Sequence, residues 1–271
     1  MEPVPVLSIA GFDPAAGAGI LADLRVFGAL GLYGMAVVTA VTAQNTEDVT
    51  AVYPTEGDAI ATQAETLITD IPPVATKTGM LASKEAVESV AAFAARDRLG
   101  RLVVDPVLAS SSGAVLAEEG VLGAIRETLL GCCELVTPNL DEAGLLSGME
   151  IVDRESAAAA AQVMRKLGAA NVCITGGHWH EAPVDLLVTA EESIFLEGKR
   201  IGGERTYHGT GCFFSAAIAA YMALGESTGV AVRKAKKYTE AALRSSIRPG
   251  KGMAIPWLGS GLNHETSETN L

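Results

Sequence analysis

Basic residues are scarce in this chain. Its 271 residues include 20 Lys and Arg against 32 Asp and Glu, which gives a formal net charge of −12. A protein that binds nucleic acid needs a cluster of cations to neutralise the phosphates. The sequence contains no such cluster, so we expect no nucleic-acid partner. A small anionic ligand would have to be held by backbone N–H groups, a metal ion and a few local cations.

Cysteines are also few, and their spacing fits no metal-binding motif. They are Cys132, Cys133, Cys173 and Cys212. Free thiols in a reducing cytoplasm are the simplest interpretation of such a set. Two histidines, His178 and His180, could share a metal on a strand, but no third ligand accompanies them in the sequence.

Long apolar runs and a secretory signal are missing as well. No stretch reaches the ~18 residues of a membrane span without a charge, a glycine or a proline. The first residues, Met1–Pro5, lack the basic start of a signal peptide. The sequence therefore predicts a cytoplasmic protein with no membrane partner.

What the chain does have is a composition typical of a globular domain. Hydrophobic residues make up 49% of the sequence and charged residues 19%. These values and the length suit one large α/β domain better than two small ones. We predict a single domain over residues 1–258. The polar residues 259–271 are predicted to form a flexible C-terminal tail.

Apolar β-type runs alternate with amphipathic helical stretches along the chain. Strands are predicted at Val6–Gly11, Gly34–Ala43, Ala75–Gly79, Leu102–Pro106, Glu134–Pro138 and Val172–Gly176, followed by a hairpin of Val184–Thr189 and Ser193–Glu197. Helices are predicted at Gly19–Leu30, Gly57–Thr69, Ser83–Leu99, Glu118–Leu130, Arg154–Leu167, Cys212–Leu224 and Thr228–Arg248. This alternation predicts βαβ units and a mainly parallel sheet.

Polar residues interrupt the chain where the predicted strands end. They are Asp13, Gln44, Asn45, Lys77, Asp105, Asn139 to Glu142, and Thr175 to His178. Ligands of parallel α/β sheets bind at the carboxyl ends of the strands. Six polar ends at the same edge predict a lined cleft.

The segment His208-Gly209-Thr210-Gly211-Cys212 leads directly into an apolar helix that starts with Phe213. Glycines on both sides of Thr210 permit a sharp turn and leave the backbone N–H groups uncovered. A helix N-terminus of this kind attracts anions, and it should bias Cys212 toward the thiolate. The pattern predicts an enzyme that stabilises negative charge and uses Cys212 near a reacting hydroxyl. A glycine-rich loop that enters a core helix with a buried cysteine remains the alternative.

Two further motifs each allow two interpretations. The loop Ala10–Gly19 permits close approach to a ligand, but it matches neither the dinucleotide fingerprint nor a Walker A loop, and it could be an ordinary βα turn. Asn139 and Glu142 form a helix-capping pair, or they order water around Mg²⁺. The two roles of this pair are compatible.

Taken together, the motifs resemble those of the hydroxymethylpyrimidine and phosphomethylpyrimidine kinases of thiamine biosynthesis, within the ribokinase-like superfamily. The matching segments, in family order, are Ile9–Pro14, Gly17–Ile20, Ala22–Leu24, Thr42–Thr46, Lys77–Leu81, Asp105–Val107, Thr137–Asn139 with Glu142, Gly176–His178 and His208–Cys212. The resemblance implies a ribokinase-like three-layer α/β/α sandwich with a central, mainly parallel sheet. It also implies ATP and Mg²⁺ as cofactors and a homodimer.

The activity that the resemblance implies is a two-step phosphorylation. The enzyme would convert 4-amino-5-hydroxymethyl-2-methylpyrimidine to its monophosphate and then to the pyrophosphate, with ATP as donor. A pyridoxal or pyridoxine kinase of the same fold, or an enzyme with both activities, is the alternative. Gln44 favours the pyrimidine, because a carboxamide can pair with a ring nitrogen and an exocyclic amine together. A non-catalytic binding domain would not need the Gly209–Cys212 turn.

The resemblance assigns a role to each site residue. Gln44 would bond to the aminopyrimidine edge, in a pocket lined by Asp23, Gly11, Ala18, Met80 and Val107. The nucleotide would contact Lys77, Asp105, Asn139, Thr175 and Lys236, with Lys236 beside the adenine. Glu142 and Asn139 would organise Mg²⁺, with Asn139 acting through water, and the catalytic anion site would comprise Gly209, Thr210, Gly211 and Cys212. Thr175 departs from the lysine of several relatives, so Lys77 is expected to supply the cation for the phosphates.

Overall fold

A computed structural model describes residues 2–110, 113–114, 116–177, 182–202 and 206–258. The tail predicted at 259–271 lies outside these residues, as do His178 and His180. Among the described residues, no helix is both long and apolar enough to cross a membrane.

Nine strands and eight α-helices make up the described fold. The strands are β1 Pro5–Phe12, β2 Tyr33–Gln44, β3 Val49–Pro54, β4 Ala75–Thr78, β5 Arg101–Val104, β6 Leu135–Val136, β7 Asn171–Ile174, β8 Val184–Val188 and β9 Ser193–Glu197. The helices are α1 Gly19–Ala29, α2 Gly57–Asp70, α3 Lys84–Ala94, α4 Val121–Ala124, α5 Leu140–Ser147, α6 Arg154–Lys166, α7 Thr210–Ala223 and α8 Thr228–Arg244. A π-helical turn, Ile125–Leu129, and a 3₁₀ turn, Leu130–Cys132, follow α4.

All nine strands join one sheet in the order β3-β2-β1-β4-β5-β6-β7-β8-β9. The six strands from β2 to β7 in this order pair in parallel, whereas β3, β8 and β9 run antiparallel to their neighbours. One apolar cluster packs α1, α7 and α8 on one face, and another packs α2, α3, α5 and α6 on the opposite face. The predicted three-layer α/β/α sandwich with a mainly parallel sheet is confirmed.

The structure differs from the predicted elements in one edge strand and in the bounds of some helices. The edge strand β3 escaped prediction, because its residues are mostly half-buried or exposed and form no apolar run. The helix predicted at Glu118–Leu130 begins only at Val121 and changes to the π-helical turn after Ala124. The last helix ends at Arg244 rather than Arg248.

Helix α7 is the central element on its face of the sheet. It packs against α1, α8 and the strands β1, β4 and β5. Ten of its 14 residues are buried, which explains why the sequence there is apolar on every side. Its carboxyl end is fixed by Arg101, which donates to the carbonyl oxygens of Met222 and Glu226 and pairs with Glu134. The amino end of α7 therefore sits at a defined height above the carboxyl ends of β1, β4 and β5.

Candidate active site

The first turn of α7 presents open backbone N–H groups. Gly209 precedes the helix with φ +79°, and a Cβ at this position would lie 2.0 Å from the carbonyl oxygen of Gly17. The first intrahelical bond runs from the Phe213 N–H to the Gly209 carbonyl, and no side chain of the described residues caps the helix. We call the N–H groups of Thr210, Gly211 and Cys212 the anion hole, because they suit a phosphate group.

The loop between β1 and α1 is shaped by Asp13. Its carboxylate accepts hydrogen bonds from the N–H groups of Ala15, Gly17 and Ala18 at 2.8, 3.1 and 2.9 Å. Burial raises the pKa of Asp13, but hydrogen bonds from His208 and from the backbone outweigh it, so the pKa lies below its ordinary value. Asp13 is therefore an ionised anchor that holds this loop against the anion hole.

Gln44 stands at the end of β2 and reaches the same place from the other side. One atom of its carboxamide lies 2.9 Å from His208 Nε2, and that ring nitrogen lies 2.9 Å from Asp13 Oδ2. The other carboxamide atom lies 3.2 Å from Thr42 Oγ1. Gln44 is only half-buried, so part of its polar edge stays open to a ligand.

Four of the predicted pocket residues, Gly11, Met80, Val107 and Ala18, lie at the carboxyl edge of the sheet. A Cβ at Gly11 would lie 2.3 Å from the terminal methyl of Met80, so a side chain there would displace this methyl. Met80 packs in a small apolar cluster that also contacts Val107. Ala18 caps the start of α1 and is tied to Asp13. The structure brings these residues together at the carboxyl edge of the sheet.

Asp23 and Lys77 are placed differently from the prediction. Lys77 Nζ lies 2.9 and 3.1 Å from the two carboxylate oxygens of Asp23, and Ser8 Oγ donates to Asp23 at 2.6 Å. Both side chains are fully buried. Asp23 therefore does not line the open pocket, and Lys77 does not reach a phosphate directly. The opposite charges of the two side chains compensate the cost of burying each of them.

The buried charge of Lys77 lies below the anion hole. Burial lowers the pKa of Lys77, but Asp23, Cys212 and Asp105 raise it above its ordinary value. Lys77 is therefore a permanent cation whose field reaches the first turn of α7.

The expected thiolate at Cys212 is contradicted. Burial raises the pKa of Cys212 to about 12, and the negative charges of Asp105 and Asp23 add to this effect. Lys77 and the N–H of Gly19 act in the opposite direction but are outweighed. The helix start alone suggested an ionised thiol, but the carboxylates buried beside it keep the proton on the sulfur.

Asp105 connects β5 to the first turn of α7. Its carboxylate accepts a hydrogen bond of 2.8 Å from Ser215 Oγ, which also lies within hydrogen-bond distance of the Gly211 carbonyl oxygen. Burial raises the pKa of Asp105 from its ordinary value. Asp105 therefore supports the anion hole from beneath.

Asn139 and Glu142 form the predicted capping box at the start of α5. The Asn139 N–H donates to Glu142 Oε2 and the Glu142 N–H to Asn139 Oδ1, both at 2.9 Å. Burial and the charge of Asp105 raise the pKa of Glu142 to about 8. A divalent cation would relieve this repulsion, so the residues fit Mg²⁺. The described residues contain no cluster of three or more metal-ligating side chains, which agrees with an ion that keeps most of its waters.

Thr175 follows β7, and the side chain of Lys236 reaches toward the same place from α8. The Thr175 N–H donates to the Pro138 carbonyl, next to Asn139. Lys236 Nζ donates to Asp185 Oδ2 at 2.6 Å, and Asp185 Oδ1 accepts the N–H of Gly176 at 3.0 Å. Lys236 is thus held beside the segment that follows β7 rather than free in the cleft.

Sequence reasoning missed several residues that hold this site together. They are Ser8, Thr42, Asp185 and Ser215. Asp185 could have been recognised from the sequence, because it is an acidic residue inside the apolar strand Val184–Val188. Ser8 and Ser215 carried none, because a small polar residue within an apolar element is common.

Comparison with known proteins identifies the family. A model described as phosphomethylpyrimidine kinase matches residues 13–257. The chain belongs to the phosphomethylpyrimidine kinase family. The family implies use of ATP.

Among relatives in this family, the hydroxymethylpyrimidine/phosphomethylpyrimidine kinase of Haemophilus influenzae is 40% identical over 252 residues, which cover 91% of this chain and 93% of that one. The thiamine biosynthesis bifunctional protein ThiED of Geobacter sulfurreducens is 41% identical over 248 residues. That match covers 91% of this chain but 50% of the relative, so the chain spans about half the length of that protein.

Solved structures resemble the chain over most of its length. The phosphomethylpyrimidine kinase of Clostridium difficile superposes with a TM-score of 0.78 at 37% identity, covering 89% of this chain and 99% of that one. An ADP complex of the Bacillus subtilis pyridoxal kinase gives a TM-score of 0.84 at 35% identity, covering 93% and 96%. Both neighbours have the ribokinase-like fold, which is thereby confirmed for this member of the phosphomethylpyrimidine kinase family.

Removal of Lys77 should destabilise the protein through the charge left on Asp23. Breaking a buried pair typically costs about 3–5 kcal/mol, so we expect Lys77→Met to lower the free energy of unfolding by that amount. Adding Asp23→Asn should recover much of the loss, because the neutral amide still accepts the Ser8 hydrogen bond. Denaturant unfolding measures all three variants. Lys84→Met breaks the exposed pair with Glu88 and should cost less than about 1 kcal/mol. Additive losses in the double variant would contradict the pairing.

Raising the pH should destabilise the ligand-free protein through Glu142. Because the pKa rises from 4.5 to about 8, the folded state keeps a proton that the unfolded chain releases. The free energy of unfolding should therefore fall as the pH rises from 4.5 through about 8. Thermal melting across this range should show a steeper fall for the unaltered protein than for Glu142→Gln. The exposed residue Glu119 supplies the control, and Glu119→Gln should leave the slope unchanged. Equal slopes for all three would exclude a raised pKa at Glu142.

Proposed function

We propose that this chain transfers the terminal phosphoryl group of ATP to 4-amino-5-hydroxymethyl-2-methylpyrimidine and then phosphorylates the monophosphate to the pyrophosphate. The observation that carries the proposal is the contact between Gln44 and His208, at 2.9 Å, since His208 directly precedes the anion hole. A group that can read an aminopyrimidine edge thus lies beside a group that can bind a phosphate. The names of the relatives support this substrate class, and the ADP complex of the pyridoxal kinase supports the nucleotide.

Positioning and charge stabilisation supply most of the catalysis in phosphoryl transfer. The N–H groups of the anion hole point toward the position that a transferred phosphoryl group would occupy. Lys77 adds a fixed positive charge below them without contacting the ligand. Glu142 and Asn139 would hold Mg²⁺, which supplies charge neutralisation of the phosphates when bound.

Cys212 is assigned to the substrate hydroxyl as an orienting group. Its thiol keeps its proton at neutral pH, because burial raises its pKa to about 12. A loose transition state develops little need for early proton removal, so an orienting hydrogen bond suffices. Thr175 and Lys236 remain the proposed contacts on the nucleotide side, where Asp185 fixes Lys236.

A pyridoxal kinase, or an enzyme with both activities, is the second candidate. The TM-score of 0.84 with the Bacillus subtilis pyridoxal kinase supports this second candidate. Gln44 argues for the pyrimidine, since its carboxamide matches a donor and an acceptor side by side. We also infer a cytoplasmic homodimer from the resemblance alone, and both features stay predictions.

The activity is tested by measuring ADP release with the pyrimidine alcohol, its monophosphate and pyridoxal. We expect turnover with both pyrimidines. Gln44→Ala should raise KM for the pyrimidine alcohol by roughly tenfold, since a lost polar contact in a buried site costs about 1–3 kcal/mol, and it should leave KM for ATP unchanged. The exposed residue Gln162, on α6, provides the matched control Gln162→Ala. Turnover with pyridoxal alone would contradict the proposed function.

Replacement of Cys212 separates an orienting thiol from a catalytic base. Loss of one hydrogen bond should reduce kcat of Cys212→Ala by roughly tenfold, and Cys212→Ser should restore much of it. Binding of ATP, measured by calorimetry, should stay the same. Cys132, in the 3₁₀ turn before β6, where its thiol donates to the Thr128 carbonyl, gives the control Cys132→Ala. A loss of about 10³-fold together with a changed pH profile would identify Cys212 as a general base instead.

A further inference from the structure

Four side chains form a continuous hydrogen-bonded row across the site: Asp13, His208, Gln44 and Thr42. His208 Nε2 lies at the centre, 2.9 Å from Asp13 Oδ2 and 2.9 Å from the Gln44 carboxamide. His208 is only 5% exposed, so water does not substitute for these partners. The direction of every hydrogen bond in this row follows from counting donors and acceptors.

At one end of the row, Asp13 requires a donor. Its carboxylate already accepts three backbone N–H groups, which hold it in the ionised, acceptor-only form. His208 Nε2 must therefore carry a proton. The structure places the Gln44 amide nitrogen against this N–H. Two N–H groups facing each other repel, so the carboxamide must be turned by 180°, with its oxygen sharing the Nε2 proton with Asp13.

At the other end, Thr42 is compatible with either orientation. Its hydroxyl has one proton and lies 3.1 Å from the Phe12 carbonyl oxygen and 3.2 Å from the nearer atom of the Gln44 carboxamide. When the hydroxyl donates to Phe12, it can accept from the Gln44 amide nitrogen, and every group of the row is then satisfied. The His208 end therefore decides the orientation, because the oxygen and nitrogen of a carboxamide are distinguished by their partners alone.

We propose that His208 is a positioning residue that determines specificity: its Nε2–H holds the Gln44 carboxamide with the oxygen toward the anion hole and the nitrogen toward Thr42. In this orientation one lone pair of the oxygen and one N–H of the amide remain for a ligand. The oxygen can accept a hydrogen bond from an exocyclic amine, and the amide N–H can donate to the adjacent ring nitrogen. This role rests on the proposed function, because it assumes that an aminopyrimidine edge meets Gln44.

The surroundings of His208 make this orientation rigid. A Cβ at Gly17 would lie 2.2 Å from Cδ2 of the ring, so the ring packs flat on that backbone. The His208 N–H donates to the Ala254 carbonyl at 2.8 Å. Nδ1 is buried with no hydrogen-bond partner among the described residues. A proton at Nδ1 would be a buried N–H without a partner among the described residues, so the geometry favours a ring proton at Nε2.

The tautomer is measurable without substrate. Long-range ¹H–¹⁵N spectra of protein labelled with ¹⁵N-histidine distinguish the two neutral tautomers and the cation, and the His208→Gln variant identifies the His208 signal among the four histidines. We expect protonation at Nε2. A neutral ring protonated at Nδ1 would overturn the inferred orientation of Gln44, whatever the activity of the enzyme.

The specificity role is tested by calorimetric Kd values for the pyrimidine alcohol, for pyridoxal and for ATP. His208→Leu removes the donor, and we expect it to weaken pyrimidine binding by roughly tenfold while ATP binding changes little. His208→Gln, which offers an N–H near the position of Nε2, should restore part of the loss. Gly17→Ala should act like His208→Leu, because its methyl displaces the ring.

The neighbouring residue supplies the control. Tyr207 donates to the Ile201 carbonyl away from the row, so Tyr207→Phe should leave all three Kd values unchanged. If His208→Leu weakens pyrimidine, pyridoxal and ATP binding equally and lowers the Tm, His208 is merely structural and the specificity role fails. If the unaltered enzyme neither binds nor phosphorylates the pyrimidine, the proposed function fails and the specificity role falls with it. A normal pyrimidine kinase activity with no selective effect of His208→Leu would overturn the specificity role alone.

Discussion

The turn at Gly209 lies so close to the backbone of Gly17 that no side chain fits between them. This contact joins the anion hole at the start of α7 to the loop that Asp13 caps, and it lets the ring of His208 rest on Gly17. Because the carboxyl end of α7 is held by Arg101, the helix is fixed at both ends. The distances between the phosphate-binding N–H groups and the residues that face the acceptor substrate follow from these contacts.

An acidic chain can bind an anion only where positive charge is concentrated locally. The net charge is −12, and the sequence contains no cluster of Lys and Arg. The fold places Lys77 within the core instead, where Asp23 keeps it charged and where salt screens it little. Helix N-termini complete the positive field, since their N–H groups need no counterion. The arrangement binds phosphate locally without making the whole surface attractive to polyanions.

The sequence patterns predicted the sheet, both helical layers and the position of the anion hole, because apolar strands and a glycine turn leave strong local signals. They predicted less well which polar residues are buried. The family resemblance placed Asp23 and Lys77 in the open site, whereas both side chains are buried. Their pairing joins α1 to β4, 54 residues apart, and no local pattern reports such a contact. The edge strand Val49–Pro54 was missed because its residues are mostly half-buried or exposed and form no apolar run.

Cys212 lies where the sequence predicted, but its thiol keeps its proton instead of ionising. A cysteine in the first turn of a helix is expected to ionise, and the helix does exert that influence. In the folded protein, burial and the carboxylates of Asp105 and Asp23 exceed it, and the pKa rises to about 12. A protonated thiol is nevertheless compatible with phosphoryl transfer, because the leaving of the phosphoryl group is well advanced before the hydroxyl needs to lose its proton. The rate then depends on alignment of the hydroxyl with the anion hole, which rigid contacts such as those of Gly209 and His208 provide better than an ionised side chain would.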